Sequence, residues 1–331
     1  MDGRSDPTGN PLPGAVVLLL GCAGAVLAVA GLRAVAHIAA PVLCALILTV
    51  AVSPLTDRLR RRGVAPWLAV AGTVATVHIG LVLLLGSLAL SVARLVDLLP
   101  AYRDELASLP AVDFSVERDT LGRWAQDLVG GALGAVGAVV LLFAVTLFMT
   151  VDLIWLPSRL AHTAQRHPVP VRALRRFAHG TRRYLLVCTA FGFAVAVVDT
   201  LVLWAFGIPL PILWGLLAFV TNYVPNVGFV AGLLPPAVLG LLEGGPALMG
   251  TVIALYCVVN FVIQSVIQPK VVGDAVGLSA TVSFVSLVFW GWVLGPVGAL
   301  LAVPLTLLVK ALLVDADPAT RWLGPFLAGE R

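Results

Sequence analysis

The sequence predicts an all-α polytopic membrane protein with about eight membrane segments, and three observations predict it. First, 60% of the 331 residues are hydrophobic and only 11% are charged, whereas a soluble surface needs about a quarter of the residues charged. Second, the apolar residues are grouped in runs close to the roughly 20 residues that cross a bilayer. Third, proline and glycine interrupt two of these runs. An ordinary soluble domain is therefore excluded.

Uninterrupted spans are predicted at about 14–32, 35–54, 66–93, 131–151, 184–206 and 246–267. The first run ends in Ala28-Val29-Ala30, which imitates a signal-peptide cleavage site. A second span follows after only a few residues, which favours an uncleaved first helix.

The charges of the loops orient these spans. Arginines cluster after the second span, at 58–62, and after the fourth, at 159–183, whereas acidic residues outnumber arginines in 94–130. The positive-inside rule then places both arginine segments and the amino terminus in the cytoplasm. Leu174, Phe177 and Ala178 form an apolar stripe beside arginines. This indicates either a helix on an anionic leaflet or a solvated basic turn that sets topology.

The chain is predicted to have five parts. They are three transmembrane helices (1–93), an extracytoplasmic amphipathic segment (94–130), a fourth helix with a basic cytoplasmic amphipathic segment (131–183), a transport core (184–314) and a cytoplasmic C-terminal tail (315–331).

Two apolar runs in the core are interrupted. Residues 210–242 are broken at 222–228, and residues 278–314 are broken at 295–298. Most arms fall short of a hydrocarbon core about 30 Å thick. Re-entrant hairpins that enter from opposite faces would form an inverted repeat, which typically places a transporter's binding site near the midplane. The alternatives are kinked single crossings, or two helices with a tight turn in each run.

The first break contains polar groups that suit a transported solute. Lipid offers no hydrogen bonds, so a broken backbone at membrane depth indicates a polar cavity or a protein cover. Asn222 and Asn226 each donate and accept hydrogen bonds, as an uncharged hydroxylated ligand such as a furanosyl diol requires. Pro225 lacks an amide hydrogen and Gly228 permits unusual dihedral angles, so carbonyl groups there are expected to face the cavity.

Further candidate site residues lie in later segments. Asn260, Gln264 and Gln268 recur at every fourth position of one helix face, either lining the path or binding neighbouring helices together. Gly295, Pro296 and Gly298 interrupt the second run, where the glycines permit close helix approach or hinge motion.

Asp199 is the only carboxyl-bearing residue well inside an apolar helix of this sequence. Ionising an acid in a membrane is costly, so such a residue is a functional candidate by default. One interpretation is a coupling-proton site. The alternative is an aspartate near the cavity rim that is hydrogen-bonded to a neighbour.

The sequence contains none of the motifs considered for enzymatic or cofactor-dependent functions. The sequence contains neither a G-x-x-x-x-G-K-[ST] phosphate loop nor H-E-x-x-H or G-x-S-x-G. The four cysteines lie in apolar runs without a C-x-x-C pair and are interpreted as small hydrophobic residues. We therefore expect no enzyme activity, no cofactor, no metal site and no nucleic-acid partner.

Three blocks resemble the autoinducer-2 exporter family of bacterial membrane proteins. They are 222–228 (NYVPNVG), 268–273 (QPKVVG) and 289–298 (FWGWVLGPVG), in that order along the chain. The resemblance implies a multi-pass transporter of the bacterial inner membrane that works as a homo-oligomer, plausibly a pentamer. It implies export of a small polar metabolite such as autoinducer-2, the signal of quorum sensing, or alternatively sodium(lithium)/proton antiport. The matched blocks contain amides and no carboxylates, which favours neutral solute export. Asp199 departs from the family pattern.

Overall fold

The structure, a computed structural model, describes residues 14–98, 136–152, 155–224, 227–267, 278–317 and 320. Within these ranges the regular secondary structure is helical and contains no strand, which confirms the all-α prediction. The helices are α1 (Gly14–Ala34), α2 (Ala36–Arg61), α3 (Pro66–Leu98), α4 (Val136–Asp152), α5 (Leu156–Arg166), α6 (Pro168–Ala205), α7 (Pro211–Thr221), α8 (Gly228–Asn260), α9 (Ala280–Leu294), α10 (Pro296–Leu300) and α11 (Ala302–Lys310).

Three unbroken helices, α2, α3 and α6, are long and apolar enough to cross a membrane, with mean hydropathies of 2.3, 2.2 and 2.3 in their most apolar windows. Helix α1 contains 21 residues, and α4 is described from Val136 to Asp152. These lengths fit a membrane protein, while the total of eight segments stays a prediction.

Helix α6 continues across one predicted boundary. The basic segment that ends at residue 183 and the span that begins at 184 are one helix of 38 residues, Pro168–Ala205. No proline interrupts the sequence from Val171 to Ala205, so the helix runs on through the arginines. At 1.5 Å per residue it is about 57 Å long, which exceeds a hydrocarbon core of about 30 Å.

Helix α8 is broken by a turn. Gly244 has φ −145° and ψ 21°, and Gly245 has φ 70° and ψ −167°. Residues on both sides of this turn pack together, because a Cβ atom on Gly240 would lie 3.3 Å from Cγ2 of Val252. The stretch therefore consists of α8a (228–243) and α8b (246–260), although its length and composition alone would suit one long crossing. This break agrees with the predicted separation of the 210–242 run from the 246–267 span.

The first interrupted run folds back on itself. A Cβ atom on Gly232 would lie 3.0 Å from Oγ1 of Thr221 and 3.4 Å from Cα of Ala218, and one on Gly228 would collide with the Thr221 carbonyl. Helix α8a thus returns along α7 with its small residues in the contact.

The second interrupted run makes a similar turn. Gly295 adopts φ 70° and ψ −154°, a backbone region that side chains disfavour. Trp290 Nε1 then donates a hydrogen bond of 3.0 Å to Thr306 Oγ1, which joins α9 to α11. Kinked single crossings are therefore wrong for both runs. Re-entry from one face of the membrane stays a prediction.

The core contains two apolar clusters. The first lies between α2, α6, α9 and α11 and includes Ile47, Phe177 and Leu305, whereas the second includes Leu203, Trp214 and Val252 of α6, α7 and α8b. On α6, Cys188 is the last buried residue of the first cluster, and Leu203 is the first buried residue of the second cluster. The stretch of α6 between them faces the candidate site.

Several predictions fall outside the described residues. They concern most of the amphipathic segment 94–130, Pro225 and Asn226 of the first break, Gln268 with the rest of its motif, and most of the C-terminal tail 315–331.

Candidate translocation site

A small pocket lies between α6, α7, α8a and α8b, in the stretch between the two apolar clusters. Its volume is about 10 Å³, comparable with the space of one water molecule. The pocket therefore has no room for a larger solute in this conformation. It is lined by Val195, Asp199, Ala218, Thr221, Asn222, Gly228, Phe229, Gly232, Tyr256, Asn260 and Gln264.

Three amide side chains form a hydrogen-bonded network across this pocket. Asn222 Nδ2 donates to the Cys188 carbonyl on α6 at 3.0 Å. Gln264 Nε2 donates to Asn222 Oδ1 at 3.3 Å and to Asn260 Oδ1 at 2.8 Å. Asn260 Nδ2 donates to the Tyr256 carbonyl at 2.9 Å. The three amides thus line the pocket, and the bond from Gln264 to Asn222 joins two helical elements. A role of Asn260 and Gln264 in the translocation path stays a prediction.

Small residues allow Asn222 to reach α6. A Cβ atom on Gly192 would lie 2.8 Å from Nδ2 of Asn222, so a larger side chain there would displace the amide. Two turns further along the contact, a Cβ atom on Gly215 would collide with Oγ1 of Thr200. The glycines of α6 and α7 therefore set the close spacing that the Asn222 hydrogen bond requires.

The end of α7 is also fixed by tyrosines. Tyr184 donates from its hydroxyl to the Tyr223 carbonyl at 2.7 Å, and the Tyr223 hydroxyl lies 2.7 Å from Thr189 Oγ1. Together with Asn222, these bonds hold the first residues of the break against α6.

Gln264 lies in a π-helical segment, Phe261–Ile267, that continues α8b. Such segments widen the helix and occur frequently at functional sites. The predicted four-residue spacing holds between Asn260 and Gln264, whose side chains are hydrogen-bonded.

Asp199 faces the pocket from α6 and is only 1% exposed. Neither of its carboxyl oxygens accepts a hydrogen bond from the described part of the chain. The described residues thus supply no hydrogen-bonded neighbour for Asp199, and its role stays a prediction. Buried polar groups are nearly always partnered, so an unpartnered carboxyl group calls for a functional explanation.

Tyr256 is a pocket residue that sequence reasoning missed. Its side chain is 1% exposed, and within the described ranges its hydroxyl has no hydrogen-bond partner. Asp199 is near enough to act electrostatically on this hydroxyl. The signal was present, because Tyr256 precedes Asn260 by the same four residues that separate Asn260 from Gln264.

Gly228 lies in the site for a different reason from the one predicted. It begins α8a and is not among the glycines with positive φ in the described chain. Its missing side chain instead permits the approach to the Thr221 carbonyl.

The second break lies outside this pocket. Gly295, Pro296 and Gly298 are not among the described lining residues. Gly295 forms the turn after α9, and Pro296 and Gly298 lie in the short helix α10. A Cβ atom on Gly298 would lie 2.7 Å from Cβ of Leu294. Tyr223 of the first break packs against the apolar cluster that contains Leu294. The two breaks therefore adjoin one cluster, and a translocation role for 295–298 stays a prediction.

Comparison with known proteins identifies the family. The family described as AI-2E family transporter matches residues 17–316. The AI-2 transport protein TqsA of Escherichia coli strain K12 is 33% identical over 312 residues, which cover 89% of this chain and 90% of the relative.

Two further relatives are named only for transport. "Putative transport protein YhhT" of the same strain is 33% identical over 310 residues, which cover 88% of this chain and 89% of that protein. A "Putative transport protein" of Haemophilus influenzae is 28% identical over 325 residues, which cover 91% and 93% of the two chains. With its membrane-length helices and this match over most of its length, the chain is a multi-pass membrane protein that belongs to the AI-2E transporter family.

Proposed function

We propose that this protein is a secondary transporter that exports a small, uncharged polar metabolite such as autoinducer-2 across the bacterial inner membrane. The observation that carries the proposal is the amide network of Asn222, Asn260 and Gln264 in the pocket. Amides donate and accept without fixed charge, so they match hydroxyl groups better than they match ions. The relative TqsA is named for AI-2 transport, which supports this substrate class.

Transport by this site requires the pocket to open. At about 10 Å³ it is far smaller than a furanosyl diol. We infer that the pocket opens when the hairpin of α7 and α8a moves against α6. This movement would break the hydrogen bonds from Asn222 to Cys188 and to Gln264, which join the elements across the pocket. Substrate hydroxyl groups would replace those bonds when the solute enters from one side of the membrane. The bonds would form again when the solute leaves on the other side, as in alternating access.

Asp199 is the proposed coupling-proton site. Its carboxyl group is buried, faces the pocket and lacks a hydrogen-bond partner in the described structure. A charge in that position is costly, so the protonated form suits the closed pocket. Proton uptake from one side and release to the other would then accompany the exchange of substrate.

The cation/proton antiporter predicted as an alternative has no support from the relatives named above. Their names give AI-2 transport or transport alone. We retain a homo-oligomer, plausibly a pentamer, with a cytoplasmic amino terminus as part of the proposal.

Reconstitution into vesicles tests the function. Full-length protein would be incorporated, and movement of labelled autoinducer-2 would be followed beside sodium-driven changes of internal pH. We expect autoinducer-2 flux above protein-free vesicles and slower flux with Asn222→Ala or Gln264→Ala. Sodium-driven pH change without autoinducer-2 flux would contradict the proposal.

A further inference from the structure

A second cavity lies at the arginine-rich end of the bundle, away from the translocation pocket. It is bounded by α2, α5 and α6 and has a volume of about 230 Å³. Its walls combine basic, hydroxyl and apolar side chains. It is lined by Ser53, Thr56, Asp57, Leu156, Leu160, Arg175 and Arg182.

Arg182 is held in place by α2. Its Nε donates to the Val50 carbonyl at 2.9 Å, and its Nη2 donates to Ser53 Oγ. Asp57 at the end of α2 also acts on this guanidinium electrostatically. The arginine is therefore fixed at the edge of the cavity before any ligand arrives, which lowers the entropic cost of binding.

Arg175 supplies a second cation to the same cavity. It precedes Arg182 by seven residues, two helical turns, so both side chains project from one face of α6. Arg175 itself is exposed. Two guanidinium groups on one face suit a phosphate group, with which arginine makes paired hydrogen bonds.

The opposite wall of the cavity is apolar. Leu156 and Leu160 lie one turn apart on α5 and both line the cavity. Trp155, immediately before this helix, is 60% exposed. A phosphate ion alone gains nothing from such a wall, whereas the glycerol and acyl groups of a lipid do.

The position along α6 also favours a lipid. Arg182 lies two residues before the apolar run 184–206, where the helix passes from polar to apolar sequence. Tryptophan and arginine side chains are typical of this interfacial level of a membrane.

We propose that this cavity binds the phosphate-bearing headgroup of an anionic phospholipid. Arg175 and Arg182 pair with the phosphate oxygens, while Leu156 and Leu160 contact the glycerol and the upper acyl chain. Basic pockets between transmembrane helices bind lipid headgroups in this manner. Asp57 opposes the anion and moderates its affinity. The site is independent of the transported substrate.

Binding to the full-length protein in neutral detergent tests the proposal. Native mass spectrometry would compare phosphatidylglycerol with phosphatidylcholine. We expect preferential retention of phosphatidylglycerol, and a loss of affinity of about fivefold in Arg175→Gln, from the contribution of one arginine near a charged headgroup.

The matched control is Arg176→Gln, which removes the same charge from the next position of α6. Arg176 lines a different basic cavity, with Arg172 and Asp315, so its effect on phosphatidylglycerol is expected to stay within about twofold, as for a long-range charge effect. Equal losses in both variants would mean that only net charge matters and would overturn a specific site.

Two further variants separate a lipid from a free phosphate. Asp57→Asn is expected to tighten phosphatidylglycerol binding, because it removes the opposing carboxylate. Leu160→Ser is expected to weaken phosphatidylglycerol binding while leaving inorganic phosphate unaffected. If inorganic phosphate competes as strongly as the lipid and Leu160→Ser changes neither, the site binds a free anion and the lipid proposal is wrong.

Discussion

A single carboxyl group, that of Asp199, distinguishes the pocket from an ordinary contact between helices. It is buried, lacks a hydrogen-bond partner in the described structure, and shares the pocket with the equally unpartnered Tyr256 hydroxyl. The amides beside them are, by contrast, bonded to one another. The amide network would hold the helices together without Asp199. The presence of a carboxyl group at this position therefore favours a role in proton coupling.

We expect Asp199→Asn to abolish proton-coupled transport and to leave expression intact. Asparagine is nearly isosteric but does not exchange a proton near neutral pH. The measurement is substrate flux into proteoliposomes with and without an imposed pH gradient. Thr200→Ser, at the next position of α6, serves as the control that keeps a carboxyl group in place. Undiminished gradient-driven flux in Asp199→Asn would remove this residue from the mechanism.

At the scale of elements, the turns are set by glycine and proline. The break between α8a and α8b was predictable because Gly244, Gly245 and Pro246 are consecutive. Proline at a first helical position and glycine at a turn are the expected arrangement. The continuity of α6 was not predictable from charge, because a run of arginines suits a cytoplasmic loop and a helix equally well.

The candidate site was predicted in part. Asn222, Asn260 and Gln264 follow from amides in apolar sequence, and the structure brings them into one network. Tyr256 and Thr221 were missed because each carries a single hydroxyl group on a side chain that is common in membrane helices. The closure of the pocket depends on distances between helices, which a sequence pattern does not contain.

The contact between α7 and α8a provides a test at this scale. We expect Gly228→Ala to destabilise the protein by about 1–3 kcal/mol, the usual cost of overpacking, because the added Cβ atom collides with the Thr221 carbonyl. Gly250→Ala is the control, since a Cβ atom at this helical position meets no atom within 4 Å. It is expected to leave stability unchanged or to raise it by about 0.5–1 kcal/mol. Thermal unfolding in detergent measures both, and equal Tm values for the two variants would contradict the close approach.

Considered as a whole, the molecule has one strongly basic end. Arg182 of α6 bonds to Val50 and Ser53 near the end of α2, so the two arginine segments that sequence analysis placed in the cytoplasm meet in space. This agreement supports the proposed orientation, with the turn between α6 and α7 at the opposite end.

Cysteine labelling tests that orientation. In a background with the four native cysteines replaced by alanine, a membrane-impermeant maleimide would be applied to either side of oriented vesicles. We expect Arg62→Cys to react from the cytoplasmic side and Phe206→Cys from the other. Both native side chains are exposed. Reaction of both positions from the same side would contradict the topology.

The bonding of the amides to one another bears on how firmly a solute is retained. Cys188, Asn222, Gln264, Asn260 and Tyr256 form a continuous chain of contacts without any guest. A polyol that bonds to these amides replaces some of their bonds to one another, and for those bonds the net gain is the small difference between two similar sets of contacts. Such a site is suited to releasing a solute, since the amides compete with the solute for one another, whereas the Asp199 carboxyl and the Tyr256 hydroxyl stay available to it.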